Sequence, residues 1–130
     1  MISEPEWARL SRALSELAPE ERDTVLTRAE DAPESGPLVC PMLDRERGAC
    51  MVYDARPVAC RSYGFYTERD AALCCSKVLD AVAMFEQEGT PPVVWGNGEA
   101  LADDLRALGP ARSLRDWLAA WRAERSARRA

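Results

Sequence analysis

Five cysteines, Cys40, Cys50, Cys60, Cys74 and Cys75, fall within 36 residues of a 130-residue chain that contains no histidine. Nine residues separate Cys40 from Cys50, and nine more separate Cys50 from Cys60. This crowding constrains the fold more than any periodicity does, because the flanking elements must carry a thiol-rich middle segment. Cysteine is a common small core residue, but three of these five lie in loop or hairpin contexts. In a reducing compartment clustered cysteines are metal ligands or reactive groups rather than disulfides. An odd count also fits a fully paired disulfide set poorly.

The flanks read as helices. In residues 1–32, Ser3 followed by Glu6 is a capping-box start, with Pro5 in the first turn. Trp7, Leu10, Leu14 and Leu17 then share one helical face. Pro19 opens a second helix carrying Val25, Leu26 and Ala29.

Residues 33–75 form the cysteine-rich segment. "PESGPLVCP" is a loop by its Pro, Gly and Ser content. "MLDRERGACMVYD" predicts a short β-hairpin turning at Asp44 to Gly48. Asp54 is placed to cap a helical turn starting near Pro57, and "SYGFYTERD" is expected to be irregular. A third long helix is predicted from an Asp70 cap to a Gly89 stop, its inner face made of Leu73, Val78, Leu79, Val82 and Phe85. Within residues 76–130, "TPPVVWGNG" is an extended linker. "EALADDLRALG" and "SLRDWLAAWRAERSARR" are two more helices, the first ended by Gly109 and the second capped by Ser113. The expected fold is a mainly α single domain over 1–130, with several helices around a cysteine-rich loop and a short hairpin.

Composition excludes several classes. Apolar residues make up 47% and charged residues 30% of the chain, which is globular rather than disordered. A net charge of −5 argues against a nucleic-acid binder. "MISEPEWARL" is acidic and lacks the apolar segment of a secretory signal. "VLDAVAMF", the longest apolar stretch, is broken by Asp80 and too short to span a bilayer. A cytoplasmic protein with no membrane partner is the expectation.

Four thiols gathered by a short irregular segment make a natural metal cage. Structural zinc sites favour tight CxxC knuckles, often with histidine, and the chain has neither. Iron–sulfur clusters accept thiolates alone at wide, uneven spacing. A 4Fe–4S cluster on Cys40, Cys50, Cys60 and one of Cys74 or Cys75 is therefore favoured, with zinc as the alternative. Tyr53, Arg56, Pro57 and Arg61 are placed around Cys60. Tyr53 is expected to pack on the hairpin, and Pro57 to start a helix whose positive end lies near that thiol.

The residues Cys40, Pro41, Leu43, Cys50, Val52, Tyr53, Arg56, Pro57, Cys60, Arg61 and Phe65 carry a resemblance. The segment is similar to the cysteine-rich family described as zinc- or iron-chelating and named for a CxxCxxCC motif. It also resembles the flagellin lysine methylase group, in which an iron–sulfur cluster takes part. The resemblance covers about a fifth of the chain and implies a chelating site on these cysteines. The CxxCxxCC motif that precedes this segment in the family is missing, since residues 1–39 hold no cysteine. The Cys74–Cys75 pair is the candidate replacement.

Other readings stay open. One is thiol redox chemistry, with Cys60 as the activated thiolate and Cys74 or Cys75 resolving. Another is a component of a methylase-like transferase, although no glycine loop for S-adenosylmethionine is present. A third is a protein partner held on the stripe of Leu114, Trp117, Leu118 and Trp121, a pattern that is core more often than interface. No triad or paired-carboxylate arrangement rises above background.

Overall fold

Pro5 and the Ser3–Glu6 pair start the first helix as the sequence predicts. In the computed structural model, which describes residues 1–33, 39–64, 66–68, 71–72, 74–89 and 91–129, the backbone N–H and hydroxyl of Ser3 both donate to Glu6 Oε2, at 2.9 and 2.6 Å. Helix α1 spans Glu4–Glu16 and α2 spans Pro19–Glu30. The described residues are mainly helical, and the chain divides into two compact units. No helix among them is long and apolar enough to cross a membrane.

The first unit, Met1–Pro57 with Gly109–Ala130, holds every residue of the buried apolar core. Strand β1 (Ile2–Ser3) pairs antiparallel with a strand at Ala111–Arg112, a pairing the sequence did not signal. Both are only two residues long, too short to show alternation. Trp7, Leu10 and Leu14 of α1 and Val25 and Ala29 of α2 pack with Trp117, Leu118 and Trp121 of the last helix, Leu114–Arg129. Ser113 caps that helix: its Oγ accepts the Asp116 N–H at 3.1 Å. The tryptophan stripe is therefore core, the commoner role of such a pattern, with Trp117, Leu118 and Trp121 buried.

The predicted hairpin is present. Strands β2 (Leu43–Asp44) and β3 (Ala49–Cys50) pair antiparallel, Leu43 opposite Cys50. Asp44 Oδ1 accepts the N–H groups of Glu46 and Arg47 at 2.9 and 3.1 Å, and Gly48 takes a left-handed φ of 63° to close the turn. A 3₁₀ turn at Tyr53–Ala55 follows and contains Asp54; Val52 before it and Ala55 within it are buried.

The second unit is Val58–Leu108. Helix α3 is one turn, Val58–Arg61. Strand β4 (Tyr66–Glu68), within the stretch expected to be irregular, pairs antiparallel with β5 (Ala71–Ala72) and parallel with β6 (Gly96–Asn97). Helix α4 is Ser76–Gln87 with Cys75 as its N-cap, beginning five residues later than predicted. Ala71 and Ala72 join β4 instead of the helix, an instance of pairing overriding helix propensity. The expected Asp70 cap and Leu73 lie outside the described residues. Gly89 does end the helical segment, with φ 78°. Helix α5, Gly98–Ala107, is capped by Asn97 Oδ1, which accepts the N–H groups of Glu99 and Ala100 at 3.0 and 3.1 Å. The two-residue strand at Ala111–Arg112 is β7, and the last helix is α6.

Among the second unit's residues whose burial is described, none is fully buried. The predicted inner face of α4 is only half realised: Val78 and Val82 are half-buried, while Leu79 and Phe85 are exposed. The apolar period is there, but no element among the described residues covers it completely.

Candidate metal centre

Cys40 enters the hairpin through a tight turn. Pro41 and Met42 are buried, and the Leu43 N–H donates to the Cys40 carbonyl at 3.1 Å. The Met51 N–H donates to the Met42 carbonyl at 3.0 Å, which ties the strand after Cys50 back to the turn after Cys40. Arg28 of α2 fixes the same place from outside, its guanidinium donating to the Leu43 carbonyl at 2.8 Å. Cys50 is half-buried against the core. A hairpin anchored at three points thus holds the two thiols in one neighbourhood.

The electrostatics at Cys40 follow from that geometry. Burial of the thiol pushes its pKa up, although the residue as a whole is exposed. The Met42 N–H works the other way, the Cys50 thiol nearby adds to the rise, and the Leu43 N–H again opposes it. The net direction is upward. Two neighbouring thiols resist ionising together, because one thiolate raises the cost of the next. A cation between them removes that penalty, and backbone N–H groups at a sulfur are the kind of hydrogen bonds that tune metal-bound thiolates. Cys40 and Cys50 are the thiols of this unit. Pro41 and the apolar Met42 and Leu43 were visible in the sequence, but the contribution of the Met42 and Leu43 amides was not.

The remaining cysteines belong to the second unit. Cys60 is in α3 and exposed. Helix α3 opens directly after Pro57 and carries Cys60, but as a single turn it aligns few peptide dipoles there. Cys74 and Cys75 precede α4 rather than lying on it, which corrects the helical geometry expected of the pair. Cys74 is half-buried. Cys75 is exposed and is the N-cap, its carbonyl accepting the Val78 N–H at 3.0 Å. All five cysteines are thiols. Among the described residues no three or more His, Cys, Asp or Glu side chains form a metal-binding group.

Of the residues placed around Cys60, two contact each other. Tyr53 is exposed, with the Arg56 guanidinium 3.6 Å above its ring, and Arg56 Nε donates to the Tyr53 carbonyl at 3.1 Å. The tyrosine does not pack into the hairpin, because the core below is already filled by Val52 and Ala55. Pro57 is buried just before α3, and Arg61 is exposed at the end of that turn. The chain matches no family model, no curated protein and no solved structure.

Proposed function

We propose that the protein is a small cytoplasmic metal-binding protein that holds an iron–sulfur cluster through cysteine thiolates, in a structural or electron-transfer role. The observation that carries this reading is the Cys40–Cys50 pair, two thiols on one anchored hairpin with the Met42 and Leu43 amides acting on one of them. Cys60 and one of Cys74 or Cys75 complete a four-thiolate set by sequence, and the absence of histidine favours sulfur-only ligation. The resemblance of the segment from Cys40 to Phe65 to a chelating family supports the same reading.

The test is metal and acid-labile sulfide analysis with a visible spectrum, on protein purified without oxygen. Iron with sulfide and a brown colour is the expected result. Single Cys-to-Ser changes should then deplete iron at Cys40, Cys50 and Cys60, and at one of Cys74 and Cys75 only. One zinc per chain without colour would replace the cluster by a structural zinc site. Protein without metal would overturn the reading.

A further inference from the structure

We propose that α4 is a docking face for a basic, amphipathic segment of a partner protein, a reading independent of the metal. The helix carries apolar residues over a wide arc. Val78, Val82 and Phe85 recur at helical spacing, with Leu79 and Met84 at the two edges of the arc. The structure leaves much of that arc in solvent: Leu79 is 46% exposed, Phe85 56% and Met84 63%. Val94, in the extended stretch after the helix, is also exposed. Large apolar residues grouped in this way mark interaction surfaces, whereas single ones do not. Methionine at the edge suits a face that adapts to its ligand.

Charge selects the occupant. At helical spacing Glu86 lies one turn from Val82 and Glu88 one turn from Met84, so acids border the apolar arc. Asp80 adds a third acid, and Lys77 is the helix's one cation. The whole of Val58–Leu108 has eight acidic and four basic residues, a net −4, whereas the rest of the chain is at −1. The excess negative charge is thus concentrated in the unit that exposes the apolar helix. A partner helix with aliphatic residues on one face and lysine or arginine at its borders complements both features.

The experiment titrates the full chain into a fluorescein-labelled peptide of leucine and lysine at helical spacing, and reads anisotropy. A twin peptide with glutamate for lysine is the control. Saturable binding of the basic peptide is expected, weakening as salt is raised. Leu79→Ser and Met84→Ser should each weaken it about tenfold through lost apolar burial, with helical circular dichroism unchanged because both residues are exposed. Four results overturn the proposal: no binding of the basic peptide, equal binding of the acidic twin, binding indifferent to both substitutions, or concentration-dependent dimerisation that abolishes peptide binding. The last would make a second copy of this chain the occupant.

Discussion

Trp7 and Trp117 are stacked with an offset, their ring centroids 5.4 Å apart and planes within 8° of parallel. The contact joins the first helix to the last within one unit. Trp121 meets Trp7 edge-on at 6.4 Å and 84°, the other arrangement that the ring quadrupoles favour. Arg112 and Arg125 lie over Trp117 and Trp121 at 4.8 and 4.9 Å, adding cation–π contacts. Trp117 Nε1 donates to the Ile2 carbonyl at 2.9 Å, so the same side chain also anchors β1.

Replacing Trp117 by Ala should therefore cost about 3–5 kcal/mol, the range for truncating a buried aromatic. Trp117→Phe keeps a ring for the stack but leaves the Ile2 carbonyl without its indole donor, adding about 1–3 kcal/mol for an unsatisfied buried group. Urea unfolding followed by far-ultraviolet circular dichroism measures both. A Trp117→Ala variant with unchanged midpoint would show that the aromatic cluster does not hold the helices together.

Gly96 gives a test confined to the second unit. A Cβ at that position would lie 2.5 Å from two carbons of the Tyr66 ring, the residue paired with it across β4 and β6. Gly96→Ala should destabilise this sheet by about 1–3 kcal/mol through overpacking. Tyr66→Ala should relieve most of the added strain, so the double variant should be less unstable than the two single costs predict. Amide hydrogen exchange across Tyr66–Glu68 reads it directly. Additive costs would mean that the ring does not sit over the glycine.

Much of this fold was legible because its signals are local. The Ser3–Glu6 cap, Pro19, the Asp44–Gly48 turn and the Trp7–Leu10–Leu14 stripe each act within a few residues. What escaped the sequence is non-local. The β1–β7 pairing joins Ile2 to Arg112, and β4 draws Ala71 and Ala72 out of a segment with good helix propensity. At the candidate site, the cysteine spacing marked Cys40 and Cys50. The deciding contacts, however, come from the Met42 and Leu43 amides and from Arg28, which no side-chain pattern announces. Tyr53 and Arg56 were marked by their place near Cys60 in the sequence, and the cation–π contact between them was not.

Asp44 ties hairpin stability to acid. The Arg47 N–H holds its carboxyl below the usual carboxylate pKa, assisted by the Glu46 N–H and by the Arg47 and Arg28 charges, against a smaller opposing effect of desolvation. A depressed folded pKa gives stability that is present above the ordinary carboxylate value and is lost as pH falls through the lowered one. The acid limb of a stability-versus-pH curve should accordingly flatten in Asp44→Asn. That side chain keeps an acceptor oxygen for the turn but does not titrate. An unchanged acid limb would remove Asp44 from the account.

Cys40 is shifted in the opposite direction. Its thiol pKa is raised, first by burial and then by the Cys50 thiol, with the Met42 and Leu43 amides only partly offsetting them. Such a group stabilises the metal-free fold fully below the ordinary thiol pKa, and that contribution is lost as pH rises through the raised value. Because the thiolate is the nucleophile, Cys40 in metal-free protein should react with iodoacetamide more slowly near neutral pH than a solvent-exposed model thiol. Its rate profile should turn upward at higher pH than the model's. Cys50→Ala removes one of the raising influences, so the Cys40 profile should shift toward the model's. Peptide mapping of the alkylated protein across a pH series separates Cys40 from the other four thiols. An acid-side displacement of the Cys40 profile would mean that the amides outweigh burial, and that the thiolate is already prepared before any metal arrives.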